Sequence, residues 1–216
     1  MALTSCEPAI NCVPNCAGKR IRFTESQGKF NRITYDDQNR QLLYIQAIDT
    51  LITYTYETDF AKSIQQYFGA EYITDDTIVP GRTLITESLF PASGTKTIYE
   101  YDAAGHLIKG TQHKNATTIY TWLNGNMVKL ERVTGVSPVQ SIEYTYETNI
   151  VNSTGNEFKG LAMFGKTSVN AIKSSNSNGV ITNYAYETDG CGCITKSLST
   201  SNTNTIEQKF IYELVE

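Results

Sequence analysis

The sequence predicts an all-β chain, an antiparallel up-and-down meander of repeated hairpins whose sheet is strongly curved or open and barrel-like. Three observations carry that prediction. An aromatic-x-aromatic step recurs along the chain, and residues tolerant of positive φ fall between its extended runs. The composition of the 216 residues, 40% hydrophobic and 19% charged with 14 tyrosines against one tryptophan, suits pleated, half-exposed surfaces better than a helix bundle.

The step appears as Tyr54-Thr55-Tyr56, Tyr99-Glu100-Tyr101, Tyr120-Thr121-Trp122, Tyr144-Thr145-Tyr146, Tyr184-Ala185-Tyr186 and Phe210-Ile211-Tyr212. Side chains two apart on a strand share a face, so each step puts two rings on one side of a sheet. Cross-strand pairs of aromatic and β-branched residues then stabilise it by about 0.2–1 kcal/mol each. Turns are expected at Asp36–Asn39, Ala103–Gly105, Asn124–Gly125, Asn178–Gly179 and Asp189–Gly190. Strands are expected over Gln41–Ile48, Leu51–Tyr56, Thr83–Leu89, Lys96–Tyr101, Thr118–Trp122, Met127–Arg132, Ser141–Tyr146, Val180–Tyr186 and Ile206–Tyr212.

Two stretches depart from the pattern. Phe60–Phe68 has apolar residues at helical spacing, although its Tyr, Ile and Phe also suit a strand. Asn156–Lys166 holds Phe158, Leu161, Ala162, Met163 and Phe164 between glycines and reads as a compact plug covering one end of the core. The expected organisation is an amino-terminal arm over residues 1–19 and a single β-meander domain over 20–216.

Five cysteines fall in two groups, Cys6, Cys12 and Cys16 near the start and Cys191 with Cys193 near the end. Leu3-Thr4-Ser5-Cys6 resembles the end of a bacterial lipobox, which would make Cys6 a lipidated residue. Cys12, Cys16, Cys191 and Cys193 then remain, an even number compatible with two disulfides. Cys191 and Cys193 would face the same way on a strand, each within reach of one of Cys12 and Cys16. Cys-x3-Cys with Cys-x-Cys could also supply four soft ligands, but the spacing is not that of a zinc ribbon, and no metal site is assigned.

The run Tyr99-Glu100-Tyr101-Asp102-Ala103-Ala104-Gly105-His106-Leu107 resembles a unit of the YD repeat of Rhs and teneurin shells, and Ile33–Arg40 is a poorer copy. Over Arg20 to the carboxy terminus, the chain resembles a domain of unknown function with a porin-like β fold found in small lipoproteins of Bacteroidetes. These YD-like hairpins, the Gly160-Leu161-Ala162-Met163-Phe164-Gly165 segment and the late Tyr184–Gly190 hairpin carry the resemblance. It implies an envelope lipoprotein, periplasmic or anchored at the outer membrane, with no assigned activity. Cys191-Gly192-Cys193 departs from the pattern expected after that hairpin.

Chemistry-bearing motifs are sparse. The acid pairs Asp36 with Asp37, Asp75 with Asp76 and Glu100 with Asp102 are the candidates for a glycan hydrolase, which needs carboxyls about 5–10 Å apart across a cleft. No nucleophile elbow, Walker loop, dinucleotide fingerprint or His-Glu-x-x-His occurs, so neither catalytic residues nor a cofactor are assigned. His106 and His113 read as turn and strand-end residues. A formal charge of −4 with scattered Lys and Arg disfavours nucleic acid as a partner. Trp122 is the candidate for stacking on a ligand. The expected function is a non-enzymatic binding or structural module with a protein or glycan ligand, held at a membrane through its lipid alone. The alternatives are a YD-like shell fragment or an envelope glycan hydrolase.

Overall fold

The computed structural model describes residues 16, 18–46, 50–57, 60–67, 70–79, 83–90, 96–112, 116–135, 137–159, 161, 165–202 and 204–215. Sixteen strands lie among them: β1 (Lys19–Ser26), β2 (Lys29–Tyr35), β3 (Gln41–Gln46), β4 (Thr50–Glu57), β5 (Phe60–Tyr67), β6 (Ala70–Val79), β7 (Thr83–Phe90) and β8 (Lys96–Tyr101), then β9 (Leu107–Gln112), β10 (Ala116–Leu123), β11 (Asn126–Thr134), β12 (Ser137–Val151), β13 (Asn170–Ser177), β14 (Val180–Thr188), β15 (Ile194–Ser201) and β16 (Asn204–Leu214). Each pairs antiparallel with its neighbours in sequence, and β1 pairs with β16 from Lys19↔Leu214 to Ser26↔Gln208. The up-and-down meander is therefore present, and its two ends meet to close a barrel.

All nine strands expected from the sequence are there. The segment with helical spacing, Phe60–Tyr67, is β5, fully paired with β4 and β6. Its flanking hairpins impose a period of two, which overrides a local apolar spacing of three and four.

Inner and outer faces follow from register and burial. Buried Phe210 lies opposite buried Thr24, which lies opposite buried Asn31. On the far side, Tyr144 opposes buried Ser175, and the wall continues through Ile142, Leu130 and Tyr120 to Thr118, Gly110 and Tyr99, two residues from buried Thr97. Both rings of each described aromatic step stand on this inner face. Opposite the rings the chain places small residues: Tyr144↔Ser175, Tyr184↔Ser199, Tyr186↔Ser197 and Tyr99↔Gly110. A Cβ on Gly110 would come within 3.3 Å of the Tyr99 ring, so the pairing of large with small sets the spacing of the wall.

The second ring of five of these steps, and Tyr35 at the end of β2, do a further job. Tyr35 donates its hydroxyl hydrogen to the carbonyl of Ile21, Tyr56 to Gln41 (2.5 Å), Tyr146 to Met127 (2.5 Å), Tyr186 to Ile172 (2.7 Å) and Tyr212 to Ile194 (2.9 Å). Trp122 uses its indole N–H in the same way on Leu107 (2.7 Å). Every one of these acceptors immediately precedes a β-bulge, where Arg22, Leu42, Ile108, Val128, Lys173 or Thr195 is the extra residue. Each bond ties the two legs of one hairpin at the end remote from its turn.

That end of the barrel is capped. Its turns include Asp36–Arg40, Asp102–His106 and Asp189–Cys193. In each, the first aspartate takes the amide of the residue four later on Oδ1 and a cation or imidazole on Oδ2: Arg40 at 2.7 Å, His106 at 3.0 Å and Lys19 at 3.1 Å. The segment from Asn152 to Val169 is anchored around this mouth, with a 3-10 turn at Asn156–Lys159. Ser153, fully buried, accepts the Ile194 amide at 2.8 Å and meets the Tyr212 hydroxyl at 3.0 Å. The Lys166 amide donates to Gly105 (2.9 Å), the Val169 amide donates to Gly125 (3.1 Å), and Ser168 accepts the Met127 amide (3.0 Å). Gly165 has φ +94°, and a Cβ there would stand 2.5 Å from the Tyr101 ring. The described residues of the segment thus run from β15 and β16 to the turns after β8 and β10, while Ala162, Met163 and Phe164 and the side chain of Phe158, on which the expected plug rests, lie outside the described set.

The apolar core, Ile21, Ile33, Ala171, Ile194 and Phe210, lies beneath this cap with Tyr35, Tyr186 and Tyr212 packed against it. Because the cap depends on the ring clasps, Tyr146→Phe is expected to cost about 1–2 kcal/mol by removing a buried donor from Met127 and Ser168. Tyr144→Phe, whose hydroxyl bonds to no described residue, should cost less than about 0.5 kcal/mol. Urea midpoints at constant m-value test this, and equal costs would refute the clasp.

Candidate functional site

Away from the cap, the inner wall is not a packed core. Ile206 and Val180 occupy inner-face positions yet are 46% and 49% exposed, and Gln112, Arg132 and Asn204 at the same end are also exposed. A sixteen-stranded barrel is wide enough to leave an aqueous lumen. The described residues of the Asn152–Val169 segment are bonded at one end of the barrel, and the opposite rim is the mouth of the cup.

The chemistry of the two faces differs sharply. Outer positions carry ion pairs, among them Glu25–Lys209 (3.2 Å), Glu100–Lys109 (2.9 Å), Lys129–Glu131 (2.8 Å) and Lys196 between Glu187 (3.0 Å) and Glu207 (3.3 Å). No Asp or Glu holds an inner position on β1–β4 or β8–β16. Lys19 at the capped rim is paired with Asp189, and Lys29 and Arg132 stand at the open rim. Between them the described wall is tyrosine, serine, threonine, amide and a few aliphatic side chains.

The first rings of the steps line the middle of this wall. Tyr120, Tyr144 and Tyr184 are half-buried, and their hydroxyls bond to no described residue. Burial raises the pKa of Tyr120, with smaller contributions from Tyr99 and Tyr144, and that of Tyr144, with one from Tyr184. The rings are near enough to sense one another's charge.

Trp122 is already engaged. Its ring stacks on His106 with centroids 4.4 Å apart, and its N–H is bonded to Leu107. His106 also reaches Asp102, and its backbone forms a bridge with Lys166 of the plug. His113 lies outside the described residues.

Cys16 and Cys193 are joined in a disulfide with Cα atoms 5.4 Å apart, and Cys191 is disulfide-bonded as well. The three form a buried cluster against Tyr212. The Cys16–Cys193 link spans 177 residues, a closure worth about 5 kcal/mol in the chain-entropy model. Cys6 and Cys12 lie outside the described residues. No cluster of metal-ligating side chains occurs among the described residues.

The acids of the sequence are occupied in turns and ion pairs. Burial works to raise the pKa of Asp36, but the Arg40 amide and guanidinium and the Gln38 amide outweigh it and hold the carboxyl low. Burial is likewise opposed at Asp102 by His106, and at Asp189 by the Cys193 amide and Lys19. Asp36, Asp37 and Glu213 do line an open depression of about 630 Å³. There Arg20 holds Glu213 at 2.7 Å, and neither Asp36 nor Glu213 is left as a lone acid. Glu100 is paired with Lys109 on the outer face. Asp75 and Asp76 are consecutive positions of β6 whose side chains lie outside the described set. Every described carboxyl with a displaced pKa is displaced downward, the opposite of what a general acid needs.

No protein-family model matches the chain, and no curated protein does. Among solved structures it is similar to a porin-like protein from Bacteroides uniformis ATCC 8492, with a TM-score of 0.66 and 13% identity over 91% of this chain and 96% of that one. At this identity the likeness is one of fold. It agrees with the porin-like β fold that the sequence resembles, while the lipid anchor and the YD repeat rest on sequence alone.

The buried phenols make an alkaline limit. Burial raises the pKa of Tyr35, Tyr186 and Tyr212 far above the ordinary 10.0. The folded chain keeps these protons when the unfolded chain starts to lose them. Their contribution is complete below pH 10.0 and is lost as the pH rises toward the folded values. Tyrosinate absorbance should therefore rise together with loss of β-sheet circular dichroism above pH 10, and a full titration with the sheet intact would contradict the burial of these hydroxyls.

Proposed function

We propose that this protein is a non-enzymatic binding module of the cell envelope whose site is the lumen of the cup. The observation that carries the reading is the hydroxyl-rich inner wall of β8–β16, which holds no Asp or Glu and is exposed toward one mouth. The closed sheet speaks against a shell fragment, which would offer unpaired strand edges for continuation. The downward-displaced, partnered carboxyls speak against a glycan hydrolase. Outer-face ion pairs suit water, since charges facing lipid at mid-membrane cost about 2–4 kcal/mol each. The barrel in this reading is held at a membrane by lipid on Cys6, not by its strands.

Accessibility of the lumen is tested with Ser199→Cys, an inner-wall position opposite Tyr184 and Ile206, and Asn183→Cys on the outer face. A small cationic methanethiosulfonate should modify both, whereas a maleimide carrying a 5 kDa polymer (roughly the size of the mouth itself by strand-count arguments) should modify Asn183→Cys alone. An unreactive Ser199→Cys would mean a filled lumen and would end the reading.

Anchoring has its own measurement. The intact mass of the full-length gene product taken from its native envelope should carry a diacyl or triacyl addition on Cys6. An unmodified Cys6 would remove the anchor.

A further inference from the structure

We propose that the lumen binds a neutral carbohydrate chain that enters at the open mouth and stacks on the arc of Tyr120, Tyr144 and Tyr184. The inference rests on the lumen being the site and names what fills it. The three tyrosines lie on alternate strands, β10, β12 and β14, about 9.6 Å apart along the pairing direction. They step toward the capped end from one strand pair to the next, because Tyr120 is level with Ile142 and Thr182 is level with Tyr144. Together they form a slanted track that a single extended ligand could follow.

Each ring offers a face and a free phenol. Sugar rings present C–H faces to aromatic surfaces and hydroxyls around their rims, so they use both parts of a tyrosine at once. Beside the rings stand Thr118, Ser175, Thr182 and Ser199, short hydroxyls at inner positions opposite or next to them. A hydrocarbon ligand would strip water from these hydroxyls without replacing its hydrogen bonds, at a cost that grows with every group covered. An anion finds its cations, Lys29 and Arg132, at the rim and none on the described wall along the track. A peptide adding as a strand finds no edge, because β1 and β16 are paired. A neutral polyhydroxylated chain satisfies the wall as it stands.

The test uses the intact, disulfide-bonded protein and saturation-transfer NMR with calorimetry. Cellohexaose, maltohexaose, xylohexaose and mannohexaose serve as neutral probes, and a galacturonic acid oligomer of similar length as the charged one. At least one neutral probe should bind, and Tyr144→Ala and Tyr184→Ala should each weaken it about tenfold or more, while Thr145→Ala on the outer face leaves it unchanged. Melting curves identify a variant that fails to fold, and Tyr144→Phe then replaces it, expected to weaken binding through loss of the phenol alone. Binding that survives both alanine substitutions, binding of the acidic oligomer alone, or no binding of any neutral probe overturns the proposal. If Ser199→Cys is modified and no neutral probe binds, the carbohydrate is wrong and the open lumen stands. If Ser199→Cys is inert, both fall together.

Discussion

The hydrogen bond from a strand-end aromatic ring to a backbone carbonyl beside a β-bulge, made in six hairpins, is the constraint on which this barrel depends. A bulge adds a residue to one strand and leaves a carbonyl turned out of the ladder. Tyr35, Tyr56, Trp122, Tyr146, Tyr186 and Tyr212 each turn such a carbonyl into an anchor point. The bulges sharpen the twist that a closing sheet needs, and the rings prevent the same bulges from fraying the end of each hairpin. Geometry and stability are thus served by one recurring contact.

From that contact follows an uneven molecule. At the clasped end, Ile21, Ile33, Ala171, Ile194 and Phe210 form a packed core, and described residues of the Asn152–Val169 segment are bonded to turns of that same end. The disulfide from Cys16 to Cys193 reinforces the same end, next to the seam between β1 and β16. Toward the other rim, inner-face residues such as Val180 and Ile206 are exposed. Lys19 and Arg40 hold aspartates that shape turns, so the charged groups nearest the core are structural.

Much of the architecture was legible because the aromatic step has a period of two and its turns carry Asn, Asp and Gly. What escaped was the set of polar strands. Asn170–Ser177 and Ile194–Ser201 are absent from the strands expected from the sequence, yet they are β13 and β15. Their small inner residues are required opposite tyrosine rings, a demand visible after pairing and not in an isolated segment. Phe60–Phe68 is ambiguous by sequence, with helical apolar spacing and strand-compatible residues, and Phe60–Tyr67 is settled as β5 only by the pairing with β4 and β6. For the site, Trp122 drew attention by rarity, but His106 occupies its face. The plainer Tyr120, Tyr144 and Tyr184 are the rings left with free phenols, and the signal for them was their place as first members of the step. Cys16 and Cys193 do meet, as their clustering near the two ends of the chain invites.

The ring order of the strands also fixes how the molecule can be assembled. Every pairing but one joins consecutive strands, so the sheet can zip up hairpin by hairpin through contacts close in sequence. The exception is the seam, where the first strand must wait for the last. Until Asn204–Leu214 is available, β1 and β15 are both open edges, inviting other chains. Arrival of β16 covers both edges, brings Tyr212 to Ile194 and docks Ser153 of the plug in one event. A chain built in this way is most vulnerable just before β16 arrives, and that strand acts as the lock.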